Sequence, residues 1–294
     1  MQNVIKASKR KKSVMRNPAM IVIFVVFAIY ALSICFVLFQ GIAVSIMDGA
    51  YYGIEMLPYK KEHFKFANYV HAFRELVVPI GNNQNVTLLG MFFNSLLYAA
   101  GTSFLGVLFS SITAYLTAKY KFPGRNIIYY YAIVTMMIPV VGTGAASILF
   151  FDKLHVLDTY FMIFMFAGSF GQNYIILYAT FKGVSWEYAE AAFIDGAGHF
   201  RVWIQVMLPQ VLSPMFALFM VGFIGLWSDS ETSLLYMRSK PTIASGLTRL
   251  SHINSGNMSM LFAGFVISMM PLLILYIAFQ ETIMDIQIGG GLKG

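Results

Sequence analysis

The stretch Ser185-Trp186-Glu187-Tyr188-Ala189-Glu190-Ala191-Ala192-Phe193-Ile194-Asp195-Gly196-Ala197-Gly198, continuing through His199-Phe200-Arg201 to Val206-Met207-Leu208-Pro209, lies between two long apolar runs. Ser185 is placed to cap a helix, although Tyr188 stands where a capping box has Glu or Gln. Glu187 suits the positive end of the helix dipole, and the Glu and Ala that follow are strong helix formers. Gly196 and Gly198 are expected to end the helix, because glycine tolerates left-handed turn conformations. Phe200, Trp203 and Ile204 then fall at helical spacing until Leu208-Pro209 redirects the chain. The stretch reads as helix, tight turn, helix, lying on the surface of a membrane.

The membrane follows from the rest of the chain. Of 294 residues, 58% are hydrophobic and 11% charged, against about 25% charged in an ordinary soluble domain. A helix needs about 20 predominantly apolar residues to cross the hydrocarbon layer. Six segments qualify, running from Pro18 to Met47, Thr87 to Ala118, Asn126 to Phe151, Thr159 to Phe181, Val211 to Trp227, and Met258 to Gln280. The expected fold class is therefore all-α, a polytopic membrane protein of six transmembrane helices. Its parts are a basic arm (1–17), a first transmembrane helix (18–47), an extracellular loop (48–86), a five-helix core (87–281) that contains the polar loop at 183–213, and a Gly-rich tail (282–294). The first apolar run is too long for a cleaved signal peptide and reads as an uncleaved anchor. Cys35, the single cysteine, lies inside it and can form no intrachain disulfide.

Six spans put both termini on one side. That side holds Lys6, Lys9, Arg10, Lys11, Lys12, Arg16, Lys119, Lys121, Arg125, Lys182, Arg201 and Lys293, against Glu187, Glu190, Asp195, Glu281 and Asp285. The opposite side has eight basic and eight acidic residues, so the whole net charge of +7 is on one face. Lys and Arg accumulate on cytoplasmic flanks, which places both termini and the polar loop in the cytoplasm. The basic arm is then a topology signal, and no nucleic-acid partner is expected.

No Asp, Glu, Lys, Arg or His falls inside the six spans. Ion-driven carriers usually place an ionisable group there, so the driving energy is expected to come from elsewhere. No Walker A pattern, H-E-x-x-H, G-x-S-x-G or cysteine pair occurs, and neither an enzyme site nor a metal is expected in the chain. His63, His71 and Glu75 in the extracellular loop match no metal spacing. The polar residues within spans are neutral: Asn94, Ser95, Thr135, Gln172 and Asn173. Such groups serve either as helix-to-helix glue or as a lining for a polyhydroxylated solute, on whose faces Trp227 would stack. Thr102, Gly106, Ser110, Ala114 and Ala118 form a small-residue stripe that predicts close helix packing. Pro139, with Gly142 and Gly144, and Pro271 are candidate kinks.

Glu190-Ala191-Ala192, Gly196, Val206 and Leu208-Pro209 together resemble the EAA loop of membrane subunits of bacterial ABC importers, with Val206 where the family more often has Ile. Asn94-Ser95-Leu96, Phe122-Pro123-Gly124-Arg125, Met137-Ile138-Pro139, Ile194-Asp195-Gly196-Ala197 and Gly290-Gly291-Leu292-Lys293-Gly294 are similar to the carbohydrate branch, in particular its maltose-type second permease. The likeness covers roughly residues 90 to 294. It departs at Trp227, which Ser228 and Asp229 follow where the family usually has Trp-Asn.

The resemblance implies a permease subunit of an ATP-driven, binding-protein-dependent importer in the bacterial cytoplasmic membrane. Its partners would be a homologous second permease, a cytoplasmic ATPase dimer that binds the ATP and Mg, an extracellular solute-binding protein, a carbohydrate substrate and membrane lipid. The chain itself would hold no cofactor. Coupling to the ATPase would fall to Glu190, Ala191, Ala192, Asp195, Gly196, Gly198, Leu208 and Pro209, and the substrate path to Asn94, Gln172, Asn173 and Trp227. A permease for another polar solute and an ATPase-independent carrier are the alternatives.

Overall fold

The computed structural model describes residues 18–81, 84–138, 142–253 and 257–289, with backbone alone for 281–289. The basic arm at 1–17, Pro139 and the Gly-rich stretch 290–294 lie outside the described residues. In chain order the elements are α1 (Pro18–Ser45), α2 (Asn68–Glu75), a hairpin of β1 (Val77–Pro79) and β2 (Asn85–Thr87), and then α3 (Leu88–Lys119). There follow α4 (Arg125–Met137), α5 (Gly144–Lys153), α6 (Met162–Phe166), α7 (Gln172–Gly183), α8 (Glu187–Ile194) and α9 (His199–Val202). The chain ends with α10 (Leu212–Ser228), α11 (Glu231–Tyr236), α12 (Ile243–Ile253) and α13 (Met258–Gly289). The fold is all-α as expected, relieved among the described residues by one antiparallel hairpin in which Val78 faces Val86.

Among the described residues, four helical runs are long and apolar enough to cross a bilayer: Pro18–Ser45, Leu88–Lys119, His199–Ser228 and Met258–Gln280. Two of the six expected spans are interrupted. The one drawn from Asn126 to Phe151 is divided between α4 and α5. Ile138, which precedes Pro139, leaves the helical region (φ −87, ψ 111), as a residue before proline is driven to do, and Gly142 turns left-handed at φ 77. The one drawn from Thr159 to Phe181 is divided between α6 and α7, and Gly171 at φ 107, ψ −154 adopts a backbone that side chains forbid. Pro271, by contrast, lies within α13, which continues through it. Residues 282–289 of the expected tail continue the helix α13.

The described residues form two compact units. The first contains α1, the loop that follows it as far as Ala72, and the start of α13 up to Val266. In α1 the large side chains point outward on every side, with Phe24, Phe27 and Leu32 all exposed. A helix that is apolar all round and uncovered by protein is one whose solvent is lipid. Its last turn is closed by Asn68, whose Nδ2 donates to the carbonyls of Ser45 (3.0 Å) and Met47 (2.8 Å). Ser45 Oγ shares a 2.7 Å hydrogen bond with the Tyr69 hydroxyl. The loop is further held by a Lys65–Asp48 ion pair of 3.3 Å, and the Ala50 N–H bonded to Asp48 lowers the pKa of its carboxyl. His63 is buried between Tyr51 and Tyr59, with ring centroids 4.3 and 4.9 Å away, and so serves as packing. Among the described residues no three His, Cys, Asp or Glu side chains gather as a metal site would need.

The second unit contains Phe73 to Ile253 and α13 from Ile267. Helix α3 is its axis, packing along α7 on one side and α10 on another. The expected small-residue stripe faces these neighbours: Thr102, Gly106, Ser110 and Ala114 are buried and Ala118 is half-buried. A Cβ on Gly106 would stand 3.8 Å from the Gly168 carbonyl, and one on Gly222 of α10 would stand 3.1 Å from Ser103 Oγ. The larger of two apolar clusters joins Tyr115 of α3 to Tyr174, Leu177 and Phe181 of α7, Val202 of α9 and Leu218 of α10. The smaller joins Tyr98, Met162, Ile163 and Met237.

Replacing Gly222 by Leu forces α3 and α10 apart. It is expected to cost about 1–3 kcal/mol, read as a lowered thermal midpoint in detergent. Asn68→Leu keeps the volume but removes both donated bonds from the end of α1. The expected cost is about 1–3 kcal/mol, read as faster amide exchange across residues 46–52 with α3 unaffected.

Candidate functional site

Helix α8 is short, and its two faces differ. Ala189 is fully buried, and Ala192 and Phe193 pack against the larger apolar cluster. Glu187, Tyr188, Glu190, Ala191, Ile194 and Asp195 are exposed, Ile194 at 87%. The aliphatic Ile194 side chain is thus left bare on a helix whose other face is in the core. Tyr188, Ala191 and Ile194 recur every three residues and make one apolar strip flanked by carboxylates. Of the expected coupling residues, Glu190, Ala191, Asp195, Gly196, Gly198 and Pro209 are exposed, while Ala192 and Leu208 are half-buried. Tyr188 and Ile194 were not singled out from sequence; their spacing from Ala191 was the available signal.

The helix ends in a paired turn. Gly196 N–H donates to the Phe193 carbonyl and Ala197 N–H to that of Ala192, both at 3.0 Å, with Gly196 left-handed at φ 79. Gly198 does not share this role: its backbone is extended (φ −76, ψ 161) and it precedes α9. At the other end Ser185 Oγ accepts from Glu187 N–H at 3.3 Å, a weak local bond in place of a full cap. After α9 the chain makes one wide turn, Trp203–Met207, with Leu208 N–H reaching back five residues to the Trp203 carbonyl (2.8 Å). The buried residues of this arm are Val202, Trp203 and Met207. Phe200 and Ile204 are exposed while Trp203 is buried; the Phe200 and Trp203 rings lie 5.8 Å apart, and the wide turn interrupts the 3.6-residue rhythm from Trp203 onward.

An aromatic clasp fastens the two arms to α3. The Tyr120 hydroxyl, just past the end of α3, shares a 2.8 Å hydrogen bond with His199 Nδ1. The Tyr120 ring lies 5.6 Å from Trp186, and Phe193 lies 4.9 Å from His199. Lys119 Nζ donates to the Val184 carbonyl, and the Thr117 and Tyr174 hydroxyls bond at 2.9 Å. The α8–α9 elbow is thus gripped before, within and after its turn. Nothing in linear spacing pairs Tyr120 with His199, which is why this contact was not legible in the sequence.

The four expected substrate-path residues are not drawn into one lining. Asn94 is bonded at both ends of its amide, donating to the Pro241 carbonyl (3.1 Å) and accepting from the Tyr160 hydroxyl (2.9 Å). Beside it Ser95 Oγ accepts from Ile243 N–H at 2.7 Å, so the two residues clasp the 241–243 segment. Trp227 is 2% exposed, donates its indole N–H to the Ser268 carbonyl (3.0 Å) and packs edge-on to Phe92. It offers no ring face to a solute in this arrangement. Gln172 is exposed and Asn173 half-buried, at the start of α7 directly after the non-helical stretch 167–171.

Residues 106–284 match the family of binding-protein-dependent transport system inner membrane components. The chain is 28% identical over 228 residues to the diacetylchitobiose uptake system permease protein of Streptomyces coelicolor, covering 76% of this chain and 72% of that one. It is also 28% identical over 211 residues to the arabinooligosaccharides transport system permease protein of Bacillus subtilis, covering 69% and 73%. Its fold is similar to a chain of a bacterial ABC transporter involved in the import of the acidic polysaccharide alginate, with a TM-score of 0.69 at 20% identity over 89% of this chain and 95% of that chain. This chain belongs to the family of inner-membrane components of binding-protein-dependent transport systems. It is a multi-pass permease subunit and not itself a catalyst, ATP hydrolysis residing in separate subunits of such systems.

Gly196→Ala imposes a left-handed conformation on a residue with a Cβ, at about 1–2 kcal/mol. Hydrogen exchange at Gly196 and Ala197 amides is expected to quicken about 5–30-fold. Gly198→Ala, where the backbone is extended and open space surrounds the Cβ, is expected to leave exchange unchanged.

Proposed function

We propose that this chain is the permease of a carbohydrate importer, moving an oligosaccharide or related glycan by alternating access, and that α8 docks into a cytoplasmic ATPase. The carrying observation is the bare strip of Tyr188, Ala191 and Ile194 on a helix whose opposite face is locked into the core. Alanine keeps the strip narrow enough for a cleft, and Glu190 and Asp195 stand ready for basic or backbone donors of the partner. Because both arms are gripped, displacement of α8 by the closing ATPase dimer passes into α3 rather than being absorbed in the loop. Closure shifts the permease between outward- and inward-facing forms only insofar as ATP binds the two states differently. ATP and Mg belong to the ATPase dimer. A second, homologous permease completes the pathway, an extracellular binding protein delivers the solute near the 228–257 segment, and the excess of basic residues on one side puts both termini in the cytoplasm.

The solute class rests on the company the chain keeps. The relatives are named for diacetylchitobiose and arabinooligosaccharides, a further one of Bacillus subtilis for maltodextrin, and the structural neighbour for alginate, seen also in complex with a pentasaccharide-bound periplasmic protein. The interrupted span agrees with it. Non-helical backbone at membrane depth is tolerated where protein buries it or water wets it, and Gly168, Phe170 and Gln172 are exposed. The amides of Gln172 and Asn173, which both donate and accept, would suit a solute made of hydroxyls.

The test is uptake by the full assembly in proteoliposomes, with a panel of labelled oligosaccharides presented on the binding protein. Ile194→Asp is expected to lower both ATPase attachment and ATP-dependent uptake tenfold or more, the equivalent of at least about 1.4 kcal/mol of docking energy. Unchanged attachment and uptake in that variant would overturn the docking assignment, and uptake of non-sugar solutes alone would overturn the substrate class.

A further inference from the structure

Beside the clasp, an open cleft of about 360 Å³ lies between the Lys119 end of α3 and the beginning of α9. Ile112, Tyr115, Leu116 and Tyr120 line one wall, and Phe200 and Trp203 the other. Leu116 and Phe200 are exposed at 45% and 72%, so the cleft opens outward along an apolar lip.

We infer that this cleft holds an acyl chain of an anionic phospholipid whose headgroup rests on Lys121, Arg125 and Arg201. Depth is the first argument. With 32 residues, α3 is about 48 Å long, some 18 Å more than the roughly 30 Å hydrocarbon layer. The helix is therefore longer than the layer is thick, and the cleft lies at the end of it that carries Lys119. The run from His199 to Ser228 is nearly as long, at 30 residues, and it too begins at the cleft, with Phe200 and Trp203. Lining chemistry is the second argument. Two tyrosines and a tryptophan, beside Ile112, Leu116, Phe200 and the His199 ring, include the residue types that membrane proteins present where acyl chains meet headgroups. Charge is the third. The segments that bound the cleft, 119–125 and 199–205, carry Lys119, Lys121, Arg125 and Arg201 and no carboxylate. Lys119 is engaged with the Val184 carbonyl, Arg125 with that of Tyr120 and Arg201 Nε with Gln205 Oε1 (2.7 Å), while the side chains of Lys121 and Arg201 are exposed. Juxtamembrane cations of this kind attract anionic lipid. The acyl chain would brace Tyr120 and Phe200 from outside, and so bear on the elbow. The proposal needs only that the chain spans a bilayer, and stands apart from the transported solute.

The experiment uses the full chain with Trp186→Phe and Trp227→Phe, which leaves Trp203 as its one tryptophan. It is placed in vesicles titrated with phosphatidylglycerol or phosphatidylcholine brominated on the acyl chains. Brominated phosphatidylglycerol is expected to quench Trp203 at a several-fold lower mole fraction than brominated phosphatidylcholine. Leu116→Phe, which fills the cleft, and the pair Lys121→Gln with Arg201→Gln should each bring the two curves together. On the unsubstituted chain, native mass spectrometry should count one more retained phosphatidylglycerol than on the Leu116→Phe chain. Equal quenching by both lipids, or none, would mean ordinary lipid contact without a site. Quenching lost once the ATPase and second permease assemble would mean that a protein fills the cleft. Either result overturns the proposal.

Discussion

Hydrocarbon supplies no hydrogen bonds, so any backbone that leaves the helix at membrane depth must find its partners in protein or in a wetted cavity. This constraint explains why α3 is built as it is. Where the expected fourth span breaks at 167–171, the irregular chain lies against Gly106, where a Cβ would just touch the Gly168 carbonyl (3.8 Å) and Ala167 (3.9 Å) and no larger side chain would have room. A bulky residue there would hold the break away from its support. The same economy of volume brings Gly222 of α10 onto Ser103. Helix α3 is thus less a span among others than the surface on which the interrupted spans are laid.

The elbow depends on the same helix. Its inward face continues the core that Tyr115, Tyr174 and Phe181 begin, and Ala189, Val202 and Met207 are fully buried there. Its outward face is left with Tyr188, Ile194 and the carboxylates of Glu187, Glu190 and Asp195 in the open. A loop that only lay on a membrane would show the reverse, its apolar side chains turned toward lipid and its charges toward water. The division of faces sets α8 apart from a plain surface hairpin, and it is the observation on which the proposed docking rests.

Composition and apolar run length were enough to read the class of fold, because a bilayer enforces them residue by residue. The loop was legible because Glu, Ala and Gly fall where a short helix and a left-handed stop require them, and Gly196 does adopt that backbone. What was not legible depends on distance in space. Run length alone cannot show that Ile138 and Gly171 depart from helix, since both sit in stretches as apolar as any span. Asn94 and Trp227 have the side chains a sugar site uses, yet the first is tied to Pro241 and Tyr160 and the second to Ser268, partners as many as 147 residues away for Asn94. The wide turn at 203–207 shifted the apolar rhythm by one residue, and no single residue there announces it.

Asn94 and Tyr120 sit near opposite ends of one helix, the former holding the 241–243 segment and the latter holding His199. Twenty-six positions separate them, about 39 Å of unbroken coil at 1.5 Å each. With proline absent from that interval, the rod has no joint in which torsion could be lost. The two remote clasps are thus fixed to the two ends of one continuous rod, like the bow and the bit of a single key.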